Sequence, residues 1–470
     1  MTRTLTKAFK PLMIQEAPAY ANTFFYSLGF LSATSFLLLI LSGTIMTLYG
    51  PGWWLTSSVG RYMRSVHMWS TQAFVLFILL HMMVVFFTSA FKRPRRLTWV
   101  LGALMLLFVL AEAEFGFVLR GDFSSQWRSL QGADFYNGSG LGYWLNTLNY
   151  QQILGIHIAV IPFLIIGLLS VHYLLVRTLG IAKPYRKDVS AKTVPANHTA
   201  LFARGGVLVV ALLILAFVLP SPYLKSTTIQ EVAKADPNIV AATLVKEFDG
   251  SSDTAGYKDN IAPYTFDARE VFVYAPYEQL FQSNPSLSGV TDQVTVFQHE
   301  SSDVQTQQLK DAAAFFDGWD GKSPVQSNNA AITIVDKLVG MAKAGLYEPA
   351  LAAANDTTSP GNSTTYVLRF LSDSGVLEDK ASSLNLTTDK YGMLHEEGGY
   401  APGAWWLAPI GVLDHTVLSN DSNGDRDAAI IFGSFFLLVV AFPFIPIINQ
   451  LPDKLKIYKL IWRDKDGRSK

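Results

Sequence analysis

Runs of about 20 or more apolar residues, long enough to cross a bilayer as helices, recur near Asn22 to Leu48, His67 to Phe91, Leu97 to Leu119, Ile153 to Arg177, Ala203 to Val218 and Ala428 to Ile448. Between the last two runs lies a long polar stretch. There Asp303 to Phe316 and Asn329 to Ala344 repeat apolar positions at helical spacing, whereas Gln293 to Phe297 alternates like a short strand and Thr365 to Phe370 is strand-like. Ala401 to Pro409 leads back toward the membrane, with Trp405 and Trp406 suited to an interface where an apolar ring with a polar handle is favoured. The expected fold is an all-α transmembrane bundle of six spans with an inserted extracytoplasmic mixed α/β domain. Its expected parts are a four-helix membrane domain at 1–200, a fifth helix at 201–220, a soluble domain at 221–427, a sixth helix at 428–450 and a basic tail at 451–470.

Charge orients this arrangement. The formal net charge of zero is an average, because Ser221 to Asp427 carries 28 acidic and 13 basic residues. Basic residues crowd Lys92 to Arg96, Arg177 to Lys192 and Lys454 to Lys470, while the alternate loops are nearly free of them. The positive-inside bias then puts both termini in the cytoplasm and 221–427 outside a multi-pass cell membrane protein. Membrane lipid is the expected surrounding, and no nucleic-acid partner is expected. The chain has no cysteine, which excludes disulfides, thiolate-held iron-sulfur clusters and covalent c-type haem on it. The first apolar run is longer than a signal-peptide core and reads as a retained helix.

Four histidines fall in two of the spans, where ionisable side chains are expensive. One such histidine is commonly an interhelical hydrogen-bonding contact. Here His67 and His81 are 14 residues apart on the second span, about 21 Å along a helix and about 40° around it. His157 and His172 are 15 apart on the fourth. Because both spans enter from the same side, His67 pairs in level with His157 (outer) and His81 with His172 (inner). Two imidazoles per iron leave no open position, so each pair suits a b-type haem, held non-covalently, for electron transfer. Gly29 and Gly43 on the first span and Gly102 and Gly116 on the third repeat the 14-residue spacing. They supply places where a porphyrin can approach a backbone, although membrane glycines also serve helix packing.

These residues resemble the cytochrome b family of the bc1 and b6f complexes, over roughly residues 20 to 220. The motifs are Arg64-Ser-Val-His67, the run from Lys92 through Pro-Arg-Arg-Leu-Thr-Trp to Gly102, Gly116-Phe-Val-Leu, His157 with Pro162, and His172 followed by Arg177 and Gly180-Ile181. The 15-residue histidine spacing looks like the b6 branch. The resemblance implies two haems in a four-helix core, haem packing at the four glycines, and a haem-propionate partner at Arg64, which could instead be an interfacial anchor. Arg177 could serve a propionate on the inner side or simply follow the charge bias. Quinone or quinol as substrate, a Rieske-type iron-sulfur protein and other subunits as partners, and dimerisation of the complex are implied as well.

The chain departs from that pattern where Arg120-Gly121 replaces Pro-Trp and Phe123 replaces Gln, and it lacks the Pro-Glu-Trp-Tyr motif of the outer quinol site. Glu112 and Glu114 stand late in the third span where the family has uncharged residues. They are candidate catalytic proton acceptors from quinol, or partners of Arg120 or Arg128. His299, His395 and His415 lack metal-ligand spacing. Asn137, Asn355, Asn362, Asn385 and Asn420 begin glycosylation sequons on the expected outer side, which would suit an archaeal surface glycoprotein; Asn197 begins another on the inner side. Three readings follow: a dihaem electron-transfer subunit of a quinol-oxidising oxidoreductase complex, a dihaem anchor for a surface reductase or dehydrogenase, and a non-redox receptor or scaffold.

Overall fold

The computed structural model describes residues 13–142, 144–181, 192–256, 267–283, 292–353, 365–396 and 400–462. The sequons at Asn355 and Asn362, the basic segment 182–191 and the end of the tail at 463–470 lie outside the described residues. Among the described residues, six helices are long and apolar enough to cross a membrane: Phe24–Tyr49, Ser58–Phe87, Arg96–Val118, Tyr150–Leu179, His198–Val218 and Arg426–Phe444. The protein is a multi-pass membrane protein. The chain divides into two compact units, one of residues 1–116, 156–222 and 398–470, the other of 117–155 and 223–397.

In the first unit, local chemistry sets the helix boundaries. The first span stops at Gly50, whose φ of 75° suits glycine. Pro51 then opens a short helix to Thr56, and the Ser57 side chain accepts from the Gly60 N–H to cap the second span. The fourth span contains a π-helical turn at Ile156–Val160 just before Pro162, a residue with no N–H to continue the regular ladder. A π turn takes up one extra residue. The 15 residues from His157 to His172 therefore advance much as the 14 from His67 to His81 do.

Indole and phenol groups tie the outer helices to this core. Trp69 donates to the Leu219 carbonyl at 2.7 Å and Tyr62 to that of Leu213 at 3.1 Å, joining the second and fifth spans. Trp99 on the third span donates to Val439 on the sixth at 2.9 Å. Trp405 donates to the Gln72 side chain at 2.7 Å, and Gln72 donates to the carbonyls of Pro402 and Gly403. Near the chain start, Glu16–Pro18 pairs antiparallel with Thr193–Pro195, Ala17 opposite Val194.

The second unit is helical among the described residues, which corrects the mixed α/β expectation for 221–427. Gln293–His299 is a helix, N-capped by Asp292, that buries Val294 and Phe297, three residues apart. Thr365–Asp373 is a helix burying Tyr366, Arg369 and Phe370. Both segments are rich in β-branched or aromatic residues, but packing decides for the 3.6-residue period. At the centre lies Ala330–Ala344, with Ala331, Ile334, Val335, Leu338 and Ala342 fully or almost fully buried.

The segment after the third span belongs to this core. Arg120 pairs with Asp122 at 2.8 Å and with Glu396, and Asp122 caps the helix Phe123–Gly138 with a reciprocal Ser125 bond. Phe123 is wholly buried in the core, its N–H donates to the Leu224 carbonyl at 2.9 Å, and Lys380 Nζ sits 4.3 Å from its ring centre. The positions that depart from the family pattern thus join residues 117–155 to the insertion.

Candidate functional site

Each of the four glycines faces a different histidine. A Cβ built on Gly43 would lie 3.2 Å from His67 Cε1, and one on Gly116 would lie 2.8 Å from His157 Cε1. At the other level, a Cβ on Gly29 would lie 3.1 Å from His81 Cε1 and one on Gly102 3.5 Å from His172 Cε1. The first and third spans therefore each give one side-chain-free position to each histidine level. Ordinary side chains at Gly43, Gly29 and above all Gly116 would push the rings out of place.

A second regularity follows from helix geometry. The residue four before a glycine has its carbonyl on the same face, and a carbonyl keeps a lone pair after its helical bond is made. Glu112 precedes Gly116 by four, and its carbonyl lies 3.2 Å from His157 Nδ1. At His67 the partner is a side chain instead: the Ser42 hydroxyl lies 2.9 Å from His67 Nδ1. Engaging Nδ1 in this way leaves Nε2 of His67 and His157 as the nitrogen that could bind a metal.

The rings of His67 and His157 have centroids 6.2 Å apart. Metal–imidazole bonds of about 2 Å on each side of one ion give a spacing of this order. His81 and His172 line a cavity of about 660 Å³ together with Gly29, Gly102, Arg95 and Arg204, a volume in the range of cofactor pockets. Flat backbone at the glycines, opposed imidazoles and an apolar helix bundle fit a haem at each level.

The remaining candidates separate. Arg64 is buried and its Nη2 donates to the Pro222 carbonyl at 2.9 Å. Arg177 is exposed. Arg95, one of the basic residues of the Lys92 to Arg96 loop, reaches the cavity lined by His81 and His172 and donates to the carbonyls of Leu179 and Gly180 at 2.7 and 3.1 Å. Glu112 directs its carboxylate to His157, with Oε1 3.0 Å from Nδ1. Glu114 is half-buried on the same helix, two residues on and so turned away from that ring. His299 and His395 lie in the second unit, hydrogen-bonded to the carbonyls of Thr295 and Asn385. Asn197 caps the fifth span through the Ala200 N–H.

The family profile described as cytochrome b (N-terminal)/b6/petB matches residues 72–230. Cytochrome b6 of Heliobacterium modesticaldum is 30% identical over 197 residues, covering 37% of this chain and 92% of that protein. Cytochrome b6 of a Prochlorococcus marinus strain is 31% identical over 193 residues, covering 36% and 86%. The chain belongs to the cytochrome b/b6 family. A chain of a hyperthermophilic respiratory complex III aligns over 78% of this chain and 97% of its own length, at 17% identity and a TM-score of 0.39, too slight a likeness to bear on the site. Membership of the cytochrome b family implies haem b.

The glycine contacts make a graded prediction. With iron fixing the ring, Gly116→Ala has no room and overpacks the site at a cost of about 1–3 kcal/mol, whereas Gly102→Ala meets only ordinary contact. Haem content of the purified variants is expected to fall for Gly116→Ala and to stay near wild type for Gly102→Ala.

Proposed function

We propose that this chain is the dihaem cytochrome b subunit of a bc1/b6f-like quinol-oxidising respiratory complex, with His67 and His157 on the outer haem iron and His81 and His172 on the inner one. The observation that carries the reading is the one-to-one pairing of four glycines with four histidines at two levels. When bound, the two haems would supply a one-electron path across the membrane between quinone sites. The chain's own residues would hold the imidazoles: the Glu112 carbonyl and the Ser42 hydroxyl engage Nδ1 of His157 and of His67, the glycines leave room beside the rings, and the apolar spans exclude water. Arg95 and Arg204 at the His81–His172 cavity and buried Arg64 are candidate partners of propionates, since a guanidinium fork suits a carboxylate.

The quinol-oxidising pocket is a separate matter. With no Pro-Glu-Trp-Tyr motif in the sequence, this reading assigns part of that pocket to another subunit and the high-potential acceptor to a Rieske-type partner. The same absence favours, as a second reading, an anchor that passes electrons to a surface reductase or dehydrogenase. Residues 117–155 and 223–397 follow the third and fifth spans, so a six-span topology puts both on one side of the membrane, and their packing into one unit supports that arrangement. The charge pattern makes it the outer side.

Oxidised-minus-reduced spectra of the purified chain are expected to show two b-type haems, and His81→Ala to remove one of them; a chain without a b-type signal overturns both haem readings. Quinol added to the assembled complex then separates them, because reduction of a soluble high-potential acceptor marks the bc-type role and transfer to a surface oxidoreductase the anchor. The cysteine-free sequence also permits a clean topology test. A membrane-impermeant maleimide is expected to label Ser382→Cys in intact cells but Lys454→Cys only after permeabilisation.

A further inference from the structure

The two sides of the outer site differ in chemistry. His67 has a neutral hydroxyl, that of Ser42, at its Nδ1, whereas His157 has a carboxylate, with Glu112 Oε1 at 3.0 Å in addition to the Glu112 carbonyl at 3.2 Å. The second carboxylate oxygen, Oε2, is buried and takes no hydrogen bond among the described residues. Glu112 and Gly116 are one helical turn apart, so the third span admits the ring with one residue and engages it with the other. The Glu112 carbonyl alone would orient the ring. A carboxylate inside a membrane helix is costly, and orientation does not require it.

We infer that Glu112 sets the redox potential of the outer site. An acidic acceptor on Nδ1–H makes the imidazole a more electron-donating ligand, and negative charge close to the metal favours the more positive, oxidised iron. Glu112 therefore lowers the potential of the His67–His157 site. It is a positioning and tuning residue, acting through His157. The inference rests on the dihaem reading above.

The test is a spectroscopic redox titration of the full-length chain in membranes, wild type beside Glu112→Gln, which keeps a hydrogen-bond acceptor and removes the charge. Two haems in the wild type establish the underlying reading, and their absence defeats that reading whatever Glu112 does. With two haems present, Glu112→Gln is expected to keep both and to move one midpoint to a more positive potential while the other stays. Two unchanged midpoints overturn the inference. If Glu112→Gln loses a haem, Glu112→Ala, which retains the backbone carbonyl, is titrated instead and the same single positive shift is expected; loss of that haem here as well makes Glu112 a retention group and overturns the tuning role.

Discussion

The structure depends on bringing four imidazoles against helix backbones where no side chain intervenes. A histidine inside a membrane helix is tolerable when both ring nitrogens have partners, and a metal can use only the nitrogen that the protein leaves over. Glycine at 29, 43, 102 and 116 lets each ring lie against a helix backbone. The carbonyl one turn earlier, demonstrated at Glu112 for His157, engages one ring nitrogen and leaves the other over. Much else in the first unit serves that register, including the π turn that lets a 15-residue histidine spacing stand beside a 14-residue one.

What could be read from the sequence follows from how local each signal is. Six spans are legible because apolar length is a property of one segment at a time, and the described residues hold six such helices. The histidine levels and their glycines are legible because helical spacing is fixed arithmetic. Gln293 to Phe297 and Thr365 to Phe370 were not, since short runs of valine, threonine and aromatics suit either period until their neighbours are known. Phe123 looked like a lapse from a family motif and proves to be a core residue of the second unit. Arg95 looked like a topological charge and lines the cavity of His81 and His172. Glu112 was visible as an anomaly, but its partner lies 45 residues away on another helix, and only the fold brings them together.

The two units divide the functional question. The first carries every residue proposed to hold haem, and its membership of the cytochrome b/b6 family rests on the part of the chain that aligns with its relatives. The second absorbs the segment after the third span into a helical core together with the insertion. That change falls in the same part of the chain as the departures from the family motif. On the proposed reading, a path for electrons across the membrane and a pocket for quinol oxidation are separable features, and the sequence changes fall in the region assigned to the second.

The central claim is that both sites hold iron between two histidines. Low-temperature electron paramagnetic resonance of the fully oxidised chain tests it most directly, because it reports the axial ligand field of each haem. The account predicts two low-spin ferric signals of bis-histidine type in equal amounts. A high-spin signal, or a single low-spin species with one haem per chain, would contradict it.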